Sequence, residues 1–231
     1  MYKYPDKAFD YVYNRFSTIG LIKYAFNWKK SRYVKEALVP WLEQQVGEAY
    51  STGYLNNITA RIMNNTKGDD YDAIAIKVLR FVKSYVTYVG DSVTWKVGEY
   101  WQTARETYDL RKGDCEDGGV FIYVLCRVCG IPANRLLLMA GDVKIGRTAS
   151  TGGHCWCAYK PTFNPTVFAF LDWCYAYDSK GLLSRNNYFI LRNDIFSSLA
   201  KRDDKYKSLW WSFNETQGFT SINSRNLGTT F

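Results

Sequence analysis

The sequence predicts an α+β protein in which a buried central helix packs on an antiparallel sheet, with a helical extension at the N-terminus. Three observations predict this fold. Helical periodicity dominates the first half of the chain, residues 115–129 are apolar around most of a helix, and the residues after 135 are rich in β-forming types. Helices followed by a run of strands are typical of α+β proteins, and 231 residues suffice for one sizeable core.

The N-terminal 68 residues are predicted to form a mainly helical extension. Apolar residues recur at helical spacing over 31–49, where Pro40 predicts a kink or a split, and residues 54–63 suit a second short helix. The turn-rich segment 64–68 marks the expected boundary with the next domain.

Two further helices are predicted before the central one. The first covers 70–89, with Asp69 or Asp70 as its N-cap and Gly90 as its end. A loop follows it, and then a short helical stretch over 103–110.

Residues 115–129 form the predicted central helix. Apolar side chains cover most of its circumference, which is typical of a helix inside a core. Gly130-Ile131-Pro132 supplies its stop signal.

Four segments rich in β-forming residues are predicted strands: 135–140, 154–160, 167–177 and 186–191. The core domain is therefore expected to cover 69–200. The polar tail 201–231 is expected to pack on this core or on a partner.

The composition is that of a soluble globular protein. Hydrophobic residues make up 47% and charged residues 23%, and no apolar run approaches the length that spans a bilayer, so no membrane contact is expected. The N-terminus has no apolar signal region, which predicts a cytoplasmic location. The net charge of +8 is interpreted as a solvated basic surface. Lys and Arg residues over 28–35 leave nucleic-acid binding as a less favoured alternative, because no nucleic-acid motif is present.

Six cysteines lie in the middle of the chain: Cys115, Cys126, Cys129, Cys155, Cys157 and Cys174. In a chain of this length without a secretory signal they are expected to be reduced thiols. The pairs Cys126/Cys129 and Cys155/Cys157 have zinc-like spacing. Packing is the favoured role, because the first pair lies inside an apolar helix and the second shares one strand face.

Cys115 stands at the first turn of the predicted central helix, within Gly113-Asp114-Cys115-Glu116-Asp117. Unpaired backbone N–H groups and the helix dipole favour an anion there, and therefore a thiolate. The same amides can donate to an oxyanion during acyl transfer. This position makes Cys115 the candidate nucleophile.

His154 is the only histidine in the sequence, and it opens a predicted strand. Asp172 follows the apolar run 167–171 on the next predicted strand. If the two strands are neighbours, Asp172 accepts the Nδ1 proton of His154, and the other ring nitrogen faces the Cys115 thiol. The order Cys, His, Asp on a helix and two strands predicts a catalytic triad.

Several short motifs together resemble the transglutaminase-like superfamily, and they are most similar to its bacterial cysteine proteinases. The motifs are Trp101-Gln102-Thr103-Ala104-Arg105-Glu106-Thr107, Gly113-Asp114-Cys115-Glu116-Asp117, Gly130-Ile131-Pro132, Gly153-His154 with Trp156, and Asp172. The resemblance covers residues 70–178.

This resemblance implies a papain-like fold with a triad of Cys115, His154 and Asp172. It also implies attack on an amide or ester carbonyl through a thioester. Water completes proteolysis or deamidation, whereas an amine completes cross-linking. No cofactor is required for such chemistry.

The sequence departs from the family's pattern at three places. The family often has Pro where this chain has Ala104 or Arg105, a bulky residue where it has Gly118, and a small residue where it has Cys155. None of these changes removes a member of the triad. They leave the substrate class open.

Asp114, Glu116 and Asp117 are candidate calcium ligands. Similar acidic motifs bind calcium in some of the resembling proteinases, and calcium takes oxygen ligands. The alternative is that one carboxylate caps the helix while the others form salt bridges with basic neighbours. Those neighbours are Arg105, Arg111 and Lys112.

Gln102 and Trp101 are candidate donors to an oxyanion, since both precede the nucleophile on the matching segment. Gln102 is favoured, because a side-chain amide is the commoner donor in papain-like sites. The alternative for Trp101 is a place in the core.

The favoured function is a cysteine-dependent amide hydrolase or acyltransferase, either protease, deamidase or transglutaminase-like, that acts on a protein or peptide. The alternative is a structural or assembly protein, such as a phage virion component, that retains the fold. The 8 Trp and 19 Tyr support this alternative, because these types are enriched at interfaces. An assembly partner would then contact the aromatic N-terminal region or the C-terminal tail.

Overall fold

The computed structural model describes residues 38–96, 98–145, 150–162, 167–175, 188–190 and 206–220. Helices fill the N-terminal part of these residues, and a six-stranded sheet fills the C-terminal part. The predicted α+β class is confirmed.

The N-terminal extension contains helices α1, Val39–Thr52, and α2, Asn56–Met63. Pro40 lies in the first turn of α1 and not at a kink within it, because the first N–H groups of a helix have no intrahelical partner to lose. Gly53 ends α1 with a positive φ of 64°. The predicted helical start at residue 31 lies outside the described residues.

Helix α3, Tyr71–Tyr85, begins where the sequence predicted, since the Asp70 side chain accepts a hydrogen bond from Ala73 N at 3.1 Å. Its predicted end was wrong. The β-branched Val86 is extended, and the helix stops at Tyr85.

The residues after α3 form strand β1, Thr87–Tyr88, which pairs in parallel with strand β2, Lys112–Gly113. Gly90 therefore does not end α3. It precedes a single helical turn, α4, Asp91–Thr94.

Helix α5, Ala104–Leu110, confirms the predicted short helix. Thr103 and Glu106 form a capping box, in which the Thr103 hydroxyl accepts from Glu106 N and the Glu106 carboxylate accepts from Thr103 N.

Helix α6, Cys115–Val128, is the predicted central helix, and its side chains from Glu116 to Cys126 are buried. Gly130, with a φ of 97°, follows it as the stop signal predicted. A short 3₁₀ turn, Ala133–Arg135, then leads into the sheet.

The six strands of the sheet are β3, Leu136–Lys144; β4, Thr151–Tyr159; β5, Val167–Leu171; β6, Tyr188–Ile190; β7, Trp211–Phe213; and β8, Gly218–Thr220. They lie in the order β6-β5-β4-β3-β7-β8, and every neighbouring pair is antiparallel. The third predicted strand is shorter than expected, because residues 172–175 turn away after Leu171.

Helix α6 lies directly against β3 and β4. A Cβ placed on Gly119 would stand 3.5 Å from Leu138 Cδ2 and 3.7 Å from Cys157 N, so the helix backbone approaches the strands closely there. Cys126 and Cys157 are buried in the core between the helices and the sheet. Thiols of both cysteine pairs therefore fill core positions, which is the packing role that the sequence analysis favoured.

The opposite face of the sheet has its own apolar cluster, built from alternate residues of the strands and from residues 206–209. Its buried members are Leu137, Met139, Val143, Trp156, Ala158, Phe168, Phe170, Tyr206 and Leu209. Both faces are thus covered.

The β7–β8 hairpin is joined to α6 by charged and polar contacts. Glu215 receives hydrogen bonds from Arg127 Nε at 2.9 Å and from the Tyr123 hydroxyl at 2.9 Å. Among the described residues, no helix has both the length and the apolar character needed to cross a membrane.

Candidate active site

Cys115 occupies the first position of α6 and is half-buried. Its thiol donates a hydrogen bond to Glu116 Oε2 at 3.0 Å. Burial, followed by the negative charge of Asp114, raises the pKa of the Cys115 thiol well above its ordinary value. The backbone N–H of Cys155 opposes this rise, because it faces the sulfur and favours the anion.

His154 and Asp172 form a buried pair, in which His154 Nε2 lies 2.7 Å from Asp172 Oδ2. The side chains are 4% and 1% exposed. His154 does not open β4, which begins at Thr151. Strands β4 and β5 pair directly, with Cys157 opposite Leu171, so Asp172 leaves β5 toward the part of β4 that carries His154. The predicted meeting of these two residues therefore occurs.

The nitrogen that the sequence analysis assigned to this contact was wrong. Asp172 Oδ2 contacts Nε2 of His154, so Nδ1 is left for another partner. The structure directs the Cys115 thiol to Glu116 and not to the imidazole. The sulfur nevertheless meets β4 at Cys155, the residue next to His154.

Asp172 is saturated with hydrogen-bond donors. Its Oδ1 accepts from Cys174 N at 3.0 Å and from Tyr175 N at 3.2 Å, and its Oδ2 accepts from the Tyr206 hydroxyl at 2.7 Å in addition to His154. Burial alone would raise the pKa of Asp172, but the charge of His154 and these hydrogen bonds outweigh it and hold the pKa below its ordinary value.

Two aromatic residues flank the candidate nucleophile. Trp173 Nε1 donates to the backbone oxygen of Cys115 at 3.3 Å. The indole lies over Gly118, where a Cβ would stand 2.2 Å from Nε1. Tyr88, 58% exposed, contacts Trp173 with ring centroids 5.8 Å apart. Trp173 thus occupies the space that the bulky residue common in the resembling family at the position of Gly118 would fill.

The two candidate oxyanion donors have different surroundings. Trp101 Nε1 donates to Glu99 Oε1 at 3.1 Å, and its ring packs against Trp41 and Trp211 in the core. Gln102 is fully buried, and its Nε2 has no hydrogen-bond partner among the described residues. Of the two, only Gln102 has a buried donor left available.

A cluster of five carboxylates surrounds the start of α6. Oxygens of Asp91, Asp114 and Asp117 lie within 4.8 Å of one another, as do those of Asp91, Glu99 and Glu116. The sequence analysis named three of the five. It missed Asp91 and Glu99, because their approach depends on the loop between α4 and α5, and no spacing rule connects them to α6.

Helix capping and salt bridges were the alternative roles predicted for these acids, and the structure shows the capping role. Asp117 does serve the helix start, since its Oδ2 accepts from Asp114 N at 3.1 Å and its Oδ1 accepts from Gln102 N at 2.8 Å. The Arg105 side chain pairs with Asp109 at 2.8 Å.

The cluster has the donor chemistry of a cation site. Asp91 Oδ1, Asp114 Oδ1 and Glu116 Oε1 are buried without a hydrogen-bond partner among the residues that the structure describes. Burial and neighbouring negative charges raise the pKa of Asp91 to about 8 and that of Glu99 to about 7. Unpaired, buried oxygens of this kind fit a hard divalent cation such as calcium.

Comparison with known proteins finds a match to one family model and a similar fold. Residues 56–161 match the family model of the transglutaminase-like superfamily. The structure is similar to Legionella pneumophila LapG, with a TM-score of 0.51, 20% identity, and coverage of 81% of this chain and 92% of that chain.

Two further structures of the same protein also match. EGTA-treated LapG and calcium-bound LapG each have a TM-score of 0.51 and 19% identity; both matches cover 79% of this chain, with 87% and 88% of the respective LapG chains covered. No curated protein gives a significant match. The predicted resemblance to the transglutaminase-like superfamily is therefore confirmed at the level of the fold.

Proposed function

We propose that this chain, which has the transglutaminase-like fold, is a cysteine-dependent amide hydrolase or acyltransferase. Cys115 is its nucleophile, His154 its base, and Asp172 the group that orients the imidazole. The observation that carries the proposal is the buried 2.7 Å contact between His154 Nε2 and Asp172 Oδ2. His154 lies on β4, and the backbone N–H of the next residue on that strand, Cys155, faces the Cys115 sulfur.

Acylation begins when the Cys115 thiol turns from Glu116 toward the imidazole and gives its proton to Nδ1 of His154. The sulfur attacks the carbonyl carbon, the S–C bond forms, and the carbonyl π pair moves to oxygen. The oxyanion returns its pair, the C–N bond breaks, and the leaving amine takes the Nδ1 proton. A thioester on Cys115 remains.

Deacylation reverses these roles. His154 Nδ1 accepts a proton from water while the water oxygen attacks the thioester carbonyl and forms the new C–O bond. The oxyanion then returns its electron pair, the C–S bond breaks, and the Nδ1 proton passes to the departing sulfur and restores the Cys115 thiol. An amine in place of water gives a new amide. The first outcome is proteolysis or deamidation, and the second is cross-linking.

The developing oxyanion has two sources of donors in this proposal. The first N–H groups of α6 have no intrahelical partner. Gln102 Nε2, buried and unpartnered among the described residues, supplies a side-chain amide.

Calcium is proposed to bind the carboxylate cluster through Asp91, Glu99, Asp114 and Glu116, with Asp117 holding the helix start. The unpartnered oxygens and raised pKa values support this site. Burial is the larger cause of the raised pKa of Cys115, and the negative charge of Asp114 is the second; a bound divalent cation would supply positive charge that offsets this second contribution.

Alkylation by iodoacetamide tests the nucleophile directly. Cys115 and Cys174 are the two half-buried cysteines among six free thiols, so Cys174 is the internal control. In calcium buffer we expect Cys115 to react about tenfold faster than Cys174, because Cys115, unlike Cys174, stands at the start of a helix. His154→Ala should slow the alkylation of Cys115, as read by peptide mass spectrometry.

Turnover then identifies the reaction class. Peptide release from casein, ammonia release from a glutamine peptide, and incorporation of a fluorescent amine report proteolysis, deamidation and transfer. Cys115→Ala should abolish whichever signal is present, and Cys174→Ser should retain it. Equal alkylation of both native thiols, with no turnover in any assay, would favour the assembly-protein alternative.

A further inference from the structure

We propose that Tyr206 is a positioning residue for the His154–Asp172 pair. Its hydroxyl donates to Asp172 Oδ2 at 2.7 Å, the same oxygen that His154 Nε2 contacts at 2.7 Å. The effect of Tyr206 on a reaction rate rests on the proposed function, whereas its effect on the imidazole does not.

The position of the Tyr206 hydroxyl is fixed by the core and by the backbone. Its ring packs against Trp156 and Phe170, with centroids 4.9 Å and 4.8 Å apart, and the residue is 4% exposed. Its backbone forms a bridge with Val143, and the next residue, Lys207, donates its N–H to Asp142 O at 2.7 Å. The hydroxyl is therefore aimed at Asp172 by rigid surroundings.

The hydroxyl changes what Asp172 offers to the imidazole. Two backbone N–H groups, from Cys174 and Tyr175, donate to Oδ1. The Tyr206 hydroxyl donates to Oδ2, and its ring belongs to the apolar cluster on the sheet face away from α6. A donor on Oδ2 restrains the carboxylate in one orientation and draws off part of its charge. Removing it leaves more charge for the His154 Nε2–H and lets the carboxylate shift.

Other polar groups around the pair do not replace this contact. Cys174 and Tyr175 belong to the turn that already binds Oδ1, and Tyr175 presents its ring to His154 at 4.9 Å. Asp114, the residue before α6, interacts with His154 through its charge. The second hydrogen bond to Asp172 Oδ2, beside that of His154, therefore comes from Tyr206.

The test is Tyr206→Phe, which keeps the ring packing and removes only the hydroxyl. Because His154 is the only histidine, ¹⁵N-labelled histidine gives one imidazole to follow by NMR. We expect the Nε2–H proton signal of the variant to move downfield as its hydrogen bond to Oδ2 strengthens. In a turnover assay, kcat should fall about fivefold with KM unchanged, since the imidazole is held less accurately.

Tyr159→Phe is the matched control. Tyr159 also lies in the sheet and donates its hydroxyl to a carboxylate, Asp72 Oδ1, at 2.6 Å, but it faces the helix side. It should leave the His154 signal and kcat unchanged. An unshifted His154 signal in folded Tyr206→Phe would overturn the proposal, and so would an equal shift in Tyr159→Phe.

The NMR measurement needs no substrate, so the two proposals fail separately. If the wild-type protein has no turnover but its His154 signal responds to Tyr206→Phe, the positioning role stands and the enzymatic role falls. If turnover depends on Cys115 but His154 does not respond, only the role of Tyr206 is lost.

Discussion

At the scale of single residues, two buried aspartates show opposite effects of their surroundings. Asp172 has three donors and a histidine beside it, and these hold its pKa below the ordinary value despite burial. Asp91 is buried beside Asp114 and Glu99, and its pKa rises to about 8. One carboxylate is stabilised as an anion by this protein alone, whereas the other requires a cation or a proton.

The stability of the protein without divalent cations should therefore fall as pH rises. Asp91 and Glu99 have folded pKa values of about 8 and about 7, above their unfolded values, so the folded state holds more protons and loses stability from about pH 4 up to pH 8. The facing groups Asp114, Glu116 and Asp117 act in the same direction. In EGTA, Tm should drop by several degrees between pH 5 and pH 8, on the order expected for a few kcal/mol.

Added calcium should flatten this dependence, because a cation offsets the repulsion. Asp91→Asn is the matched variant, since it retains an oxygen that can accept the hydrogen bond from Tyr100 N and removes the charge. Its Tm in EGTA should exceed that of the wild type at pH 8 and approach it at pH 5. Parallel Tm profiles with and without calcium would contradict a cation site in the cluster.

The sequence identified the candidate triad but not all the groups that act on it. Cys115, His154 and Asp172 could be selected because chain order, a helix start and a lone histidine restrict the choices. The histidine nitrogen could not be assigned, since it depends on the edge from which Asp172 approaches. Tyr206 was missed because its contact spans 34 residues and Tyr206 lies outside every predicted strand.

At the scale of secondary-structure elements, two adjacent glycines of α6 face different constraints. A Cβ on Gly118 would stand 2.2 Å from Trp173 Nε1, whereas a Cβ on Gly119 meets nothing closer than 3.5 Å. Gly118→Ala should displace the indole from the Cys115 backbone, reduce turnover at least about tenfold, and destabilise the fold by about 1–3 kcal/mol. Gly119→Ala should be neutral or stabilise by up to about 1 kcal/mol through helix propensity.

Urea unfolding and Trp fluorescence of the two variants measure these effects. Equal unfolding free energies of both variants would show that the position of Trp173 does not depend on the absence of a side chain at residue 118. The combined variant Gly118→Ala with Trp173→Phe should recover part of the lost stability, because the smaller ring leaves room for the methyl group.

Local signals predicted the elements well where the chemistry is local. Asp70 caps its helix as expected, since an N-cap needs only residues three positions away. The end of α3 was mispredicted, because Thr87 and Tyr88 leave the helix to pair with Lys112 and Gly113. Such a pairing is invisible to periodicity.

At the scale of the whole molecule, the C-terminal hairpin joins the sheet to the central helix. Arg127 and Glu215 lie 88 residues apart in sequence, and their side chains are 18% and 10% exposed. Arg127 Nη1 also donates to Ile131 O at 2.6 Å, so the guanidinium connects the helix, the turn that follows it and the hairpin. An ion pair this shielded from water should couple more strongly than one on the surface.

A double-mutant cycle with Arg127→Met and Glu215→Gln measures that coupling. Each single variant leaves one charged partner poorly solvated and should cost about 2 kcal/mol of unfolding free energy, and the coupling energy should exceed about 1 kcal/mol. The exposed pair Arg105 and Asp109, with side chains 29% and 42% exposed, is the control and should give about 0.5 kcal/mol or less. Because Arg127 lies near the end of α6 and Cys115 at its start, the cycle should change urea midpoints without changing the alkylation rate of Cys115. Equal coupling in both pairs would mean that the hairpin is held by β7 pairing with β3 alone.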